Sequence, residues 1–301
     1  MKPPESAGTP GCFLRFGKAG AQTRMRLYCF AHAGGTAAIY APWARLLSPD
    51  IEIYAVELPG HGTKMDEEPL KDVAEMARHL LPQICEQQAD RRPFAFYGHS
   101  LGAVVAYETA LALQDLASSD RYQYASSRQG PLLALQHLFI GAARAPHLPR
   151  MLPALSHLDQ QAFLEGVRHR YGGISEAVLA EPELLEMILP PLRADFAAYE
   201  NYQHQARVLL TCPVTAFAGT RDPVVQESAV TAWADHTSGP FRLHAIPGDH
   251  FFLAEHREQV LGIVSRALRT DALRSSSEGR AGEAESGSFT GQRRDSGRNT
   301  G

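Results

Sequence analysis

Six short runs of β-branched and aromatic residues recur along the chain, at 25–31, 51–58, 94–97, 135–142, 213–219 and 241–247, with helical patterns between most of them. No other feature limits the fold as much. Runs of four to eight residues bounded by Gly, Pro or Asp read as strands, and residues 70–88, 102–116 and 223–234 as the helices between them. Strands that alternate with helices imply crossover connections. The expected class is therefore α/β: a mostly parallel central sheet with helices on both faces. At 301 residues and 44% hydrophobic, the chain can fill one large core without a second domain. One folded unit is expected over 1–268.

Three segments break the alternation. Residues 117–131 (ASSDRYQYASSRQGP) are polar and close on Gly-Pro, the signature of a surface insertion. Residues 269–301 are dominated by Ser, Gly, Arg and Glu and cannot bury enough apolar area to offset their ordering entropy, so a disordered tail is expected. Residues 149–205 contain helical patterns and no strand. Ser156 and Asp159 there resemble a capping box, and Pro182 opens a helix whose Leu185, Ile188, Leu192, Phe196 and Tyr199 share one face. A helical excursion between late strands is most simply a lid over the carboxyl edge of the sheet.

Charge and cysteine usage narrow the partners. A formal net charge of −4 offers no basic excess for nucleic acid or an anionic membrane. No apolar run could serve as a signal-peptide core or span a bilayer. A soluble, cytoplasmic protein is expected. Cys12, Cys29, Cys85 and Cys212 are scattered without a C-x-x-C pair and read as reduced, mostly buried thiols.

Ligands of open α/β sheets bind outside the carboxyl ends of the strands, and Gly98-His99-Ser100-Leu101-Gly102 falls there, between a strand and an apolar helix. Small residues two before and two after Ser100 allow a sharp turn that presents its hydroxyl. Ser100 is the candidate nucleophile. A hydroxyl needs a base, and the base an orienting group. Among 13 histidines, His250 follows the last strand, in IPGDHFFL, on a loop at the same edge. His32 lies in a Gly-rich turn, and His99 flanks Ser100 with its side chain turned away by the bend. Asp222, in FAGTRDPVV, follows the preceding strand and is the candidate acid; its rival Asp249 adjoins His250, and adjacent side chains diverge. For an oxyanion, the backbone N–H groups of Ala33, in CFAHAGGTA, and of Leu101 are the candidate donors, although Gly34 and Gly35 also suit a plain tight turn.

The segments FAHAGGTA, VELPGHG, FAFYGHSLGA, RAPH, RYGGI, EPELLEMILPPLRADFAAYENY, CPVTAFAGTRDPVV and IPGDHFFL occur in this order from about Phe13 to Leu268. In motif and spacing the chain resembles the type II, or editing, thioesterases of nonribosomal peptide and polyketide synthase systems. The lid motifs carry most of that specificity. The resemblance implies an α/β-hydrolase fold and hydrolysis of acyl groups from the phosphopantetheine thiol of acyl or peptidyl carrier proteins. It implies an acyl-enzyme on Ser100, with His250 as base, Asp222 as its partner and Ala33 and Leu101 as oxyanion donors, a monomer, and no metal or organic cofactor. Two departures stand out: His61, where the family often has arginine, and the long 117–131 insertion. Carrier proteins of such systems are generally acidic near the pantetheine, so Arg144, His147, Arg150, Arg168, His169 and Arg170 form a candidate docking cluster around the lid. A medium-chain fatty-acyl thioesterase serving a fatty-acid synthase, a general carboxylesterase and a catalytically silent carrier-binding module are the alternatives.

Overall fold

A computed structural model describes residues 11–17, 23–118, 134–172, 178 and 180–286. Seven strands make one sheet: β1 (Phe13–Phe16), β2 (Met25–Phe30), β3 (Ile51–Val56), β4 (Phe94–His99), β5 (Leu135–Gly141), β6 (Val214–Gly219) and β7 (Phe241–Ile246), in the order β1-β3-β2-β4-β5-β6-β7. Every pairing is parallel except β1 with β3. The helices are α1 (Val73–Gln87), α2 (Leu101–Ala117), α3 (Gln160–Tyr171), α4 (Pro182–Asn201), α5 (Glu227–Thr231) and α6 (Leu253–Ser286, kinked at His256).

Residues of β2, β3, β4 and β6 are buried throughout, because both sheet faces are covered. Met76 and Leu80 of α1, Val105 of α2 and Trp233 pack one face. Tyr40 and Trp43, in a 3-10 segment at Ala37–Arg45, join Val260, Val264 and Leu268 of α6 on the other. Each such side chain contributes about 1.5–3 kcal/mol on burial. The sheet is thus rigid at its centre, where β2 and β4 pair and the order of the strands reverses.

Between β5 and β6 the chain leaves the sheet to form α3 and α4, the expected lid. Its own small core is Leu155, Phe163, Val167, Leu192 and Phe196, with the Phe163 and Phe196 rings edge to face at 5.4 Å. The cap of α3 differs from expectation: Asp159, not Ser156, receives the Ala162 N–H, at 2.9 Å. A carboxylate three residues ahead of a free N–H needs no partner from Ser156. Helix α4 opens with Pro182 at its first position and contains Pro190 and Pro191.

Other differences have physical causes. Strand β1 was not expected; it is a four-residue edge strand whose Arg15 pairs with Glu52 of β3, too short to show a period in sequence. The predicted helix at 223–234 is replaced by α5 and a 3-10 turn at Ala232–His236, because Asp222 ties down the N–H groups of Val224 and Val225 and delays helix onset. Helix α6 runs on to Ser286, into the segment expected to be disordered: a helix already nucleated by packing extends at one hydrogen bond per residue. Residues 287–301 and most of the 117–131 insertion lie outside the described residues. The four cysteines are free thiols, three of them buried. Among the described residues, no helix is long and apolar enough to cross a membrane.

Candidate active site

Ser100 stands between β4 and α2 with φ 54° and ψ −119°, a conformation that a non-glycine residue holds only when its surroundings impose it. The flanking glycines are those surroundings. A Cβ on Gly98 would lie 2.3 Å from the Gly102 carbonyl oxygen, and one on Gly102 2.2 Å from that of Phe30. The Ser100 N–H donates to the Gly141 carbonyl at 2.8 Å, anchoring the turn to β5.

The three residues singled out in sequence meet here. His250 Nδ1 lies 2.8 Å from Asp222 Oδ2, and His250 Nε2 lies 2.9 Å from Ser100 Oγ. Because a carboxylate only accepts, Nδ1 carries the proton and Nε2 is left to accept from the Ser100 hydroxyl. The Asp222 and His250 side chains are 1% and 3% exposed, so both hydrogen bonds sit in a low-dielectric setting. Asp222 is fixed by the N–H groups of Val224 and Val225, which donate to its Oδ1 at 2.8 and 3.0 Å. Asp249, the rival acid, instead accepts from the Phe251 N–H at 2.8 Å. Such a relay can activate a hydroxyl for attack and return the proton to a leaving group.

Two more histidines, His32 and His99, surround the base, and sequence reasoning missed the role of His99. His99 is fully buried, and its Nε2 donates to the His250 carbonyl oxygen at 2.7 Å. Its ring is not turned away from the site. Burial, and secondarily the His250 charge, pushes His32 down to about 4; the same causes hold His99 well below its ordinary value. Both rings are therefore neutral near pH 7 and place no positive charge beside the relay.

A pocket of about 170 Å³ opens on this relay. Ala33 and Leu101 line it beside Ser100, and among the described residues neither N–H has a protein acceptor. From the lid come Val167, Tyr171, Ile188, Leu192, Phe196 and Tyr199, and the Tyr171 ring stands edge-on to His250 at 5.1 Å. Tyr171, Phe196 and Tyr199 also form one wall of a second cavity of about 540 Å³, bordered by Arg144, Arg150 and Arg170. These arginines are partly engaged at the base of the lid: Arg144 donates to the Leu148 carbonyl, Arg150 to that of Glu200, and Arg170 to that of Pro153 at 2.6 Å. Arg168 and His169 are exposed in the last turn of α3, where positive charge suits the helix dipole.

The strand order, the inserted helical lid and the strained serine turn are those of an α/β-hydrolase. The thioesterase domain family matches residues 25–268. Among curated proteins, the chain is 37% identical over 259 residues to thioesterase PikA5 of Streptomyces venezuelae, covering 86% of each chain. It is also 37% identical over 268 residues to a Brevibacillus parabrevis protein named linear gramicidin dehydrogenase LgrE, covering 87% of this chain and 94% of that one. Among solved structures, the type II thioesterase BorB from the borrelidin biosynthetic cluster superposes with a TM-score of 0.66 at 33% identity, covering 82% of this chain and 92% of that one. The chain belongs to the thioesterase family and is a hydrolase acting on thioesters.

Proposed function

We propose that this enzyme clears short acyl groups from the phosphopantetheine thiol of acyl or peptidyl carrier proteins, working through Ser100, His250 and Asp222. The observation that carries the reading is the 2.9 Å and 2.8 Å relay beneath a small apolar pocket. Ser100 Oγ attacks the thioester carbonyl while His250 Nε2 takes its proton. The oxyanion of the tetrahedral intermediate is held by the N–H groups of Ala33 and Leu101. His250 then protonates the departing thiol, leaving an acyl-enzyme on Ser100. Water, deprotonated by His250, releases the acid and restores the serine.

The pocket volume supports a short acyl unit: pockets for drug-sized ligands run to about 300–1,000 Å³, well above the 170 Å³ found here. Phe196 and Tyr199, which wall this pocket off from the larger space beside it, weigh against a medium-chain fatty-acyl preference. The arginines bordering the second cavity, with Arg168 on the outer face of α3, supply positive charge toward an acidic carrier.

The test compares acetyl- and propionyl-loaded carrier protein with the matching free thioesters and a p-nitrophenyl ester, using Ser100→Ala as the blank. Faster hydrolysis of the loaded carrier, lost in the variant, is the expected result. Rapid ester cleavage with the carrier left loaded would replace this reading with a general esterase.

A further inference from the structure

The turn that follows β2 is held at two points by buried carboxylates from different regions of the fold. From below, Glu57 at the end of β3 accepts the Ala37 N–H at 2.9 Å and the Thr63 N–H at 3.2 Å. From above, Asp195 on α4 accepts the Gly34 N–H through Oδ2 at 2.7 Å. Asp195 is 2% exposed, and the same Oδ2 accepts from His61 Nε2 at 2.9 Å. One turn earlier on α4, Leu192 packs over Gly34 so closely that a Cβ there would lie 2.7 Å from its Cδ1. The lid helix therefore grips one residue of this turn twice, and the Ala33 N–H belongs to the adjoining peptide.

His61 is charged by its partners. Its Nδ1 lies 3.0 Å from the Pro59 carbonyl oxygen and its Nε2 on the Asp195 carboxylate; both can only accept, so both ring nitrogens carry protons. Burial opposes that charge, but the bond to Asp195 and its charge, the Pro59 carbonyl and Glu57 outweigh it and raise His61 above its ordinary value. The titratable groups around the ring are Asp195 from α4, Glu57 from β3 and His32 across a small cavity, with Lys64 of its own turn directed to Glu67. A buried carboxylate on an imidazolium is a fixed, dry ion pair.

We propose that Asp195 is a positioning residue that couples the lid to the oxyanion site, holding the Gly34 peptide so that the Ala33 N–H is set for the developing charge, with His61 as its counter-ion. The lid then does more than cover substrate: seating α4 completes the catalytic turn. The inference rests on Ala33 serving as an oxyanion donor but not on the identity of the acyl carrier, so it is tested with a free acetyl thioester.

Asp195→Ala should lower kcat about 10- to 100-fold, below the about 100- to 1,000-fold typical of losing a whole oxyanion donor, with KM changed less than about twofold. A trifluoromethyl ketone, which forms the oxyanion adduct with Ser100, should lose affinity by a similar factor, while a ground-state amide analogue should not. Asp195→Asn, which keeps an acceptor for Gly34, should recover some of the lost kcat. In the wild type the rate should fall on the alkaline side as His61 loses its proton; His61→Arg, which keeps the cation without titrating, should remove that limb and retain most of kcat. Wild-type kcat in Asp195→Ala, or an unchanged alkaline limb in His61→Arg, would overturn the proposal. Should Asp195→Ala not fold, the His61→Arg profile decides alone. Failure to hydrolyse a loaded carrier would overturn the carrier reading and leave these results standing.

Discussion

His99 and His250, 151 positions apart in the chain, are joined by a 2.7 Å hydrogen bond from the ring of the first to the backbone carbonyl of the second. The residue next to the nucleophile thereby holds the loop that carries the base. His99→Phe, which keeps a ring but removes the donor, leaves a buried carbonyl unpaired at a cost of about 1–3 kcal/mol. The expected outcome is a lower melting temperature and a kcat reduced more than KM is raised, read by calorimetry and steady-state kinetics.

Ser100→Ala should cut kcat for a free thioester about 10,000-fold or more while leaving binding of the substrate near normal. Asp222→Asn should cost about 10,000-fold, since an amide can present its N–H to His250 and favour the wrong tautomer. Single-turnover acylation rates check both.

Gly102→Ala tests whether the sharp turn depends on close backbone approach. The new methyl would meet the Phe30 carbonyl oxygen at 2.2 Å. Overpacking of this kind costs about 1–3 kcal/mol, or about 3–10 °C in melting temperature for a domain of this size. Activity should fall along with stability, because the displaced turn carries Ser100.

Stability should fall in mild acid. His32 and His236 take up protons near 6.5 when unfolded but only at about 4 when folded, burial being the main cause in each, and burial likewise holds His99 well below its ordinary value. The unfolded chain thus binds more protons across that interval, so the contribution of these rings is full above 6.5 and is lost as pH drops toward 4. His61, raised, runs the other way and loses its contribution as pH climbs through its folded value. Urea midpoints measured between about pH 8 and 4 should decline on the acid side, and His32→Gln should flatten the decline.

Phe196→Ala should change which substrate is preferred. Phe196, with Tyr171 and Tyr199, stands between the 170 Å³ pocket and the 540 Å³ cavity beside it. Its removal thins the shared wall and lengthens the space open to an acyl chain, at a stability cost of about 3–5 kcal/mol. The ratio of kcat/KM for hexanoyl over acetyl thioester should rise at least about tenfold, which corresponds to about 1.4 kcal/mol between the two transition states.

Ser100, Asp222 and His250 were legible because each stands directly or a few residues past a strand, where punctuation in the sequence marks the carboxyl edge. Asp195 and His99 were not, since they act on the Gly34 N–H and the His250 carbonyl, and a backbone partner leaves no trace in residue identity. The arginines grouped in sequence around the lid proved heterogeneous in space. Arg144, Arg150 and Arg170 each bond a lid-base carbonyl, while Arg168 stands on the outer face of α3. Ser156 and Asp159 read together as a capping box, whereas Asp159 alone caps α3, a distinction that residue spacing does not make.

Pro190 and Pro191 divide α4 into unequal lengths. Leu192, Asp195, Phe196 and Tyr199, which hold the Gly34 turn or wall the pocket, lie after the prolines; before them Ile188 also lines the pocket, while Leu184 and Met187 are exposed and apolar. Two adjacent residues without N–H groups remove two of the backbone bonds that tie these lengths together, although the helix runs through them. The two missing donors thus fall where the exposed leading turns of α4 meet the turns that hold the catalytic loop, so the helix is least tied to itself at the boundary between its two tasks.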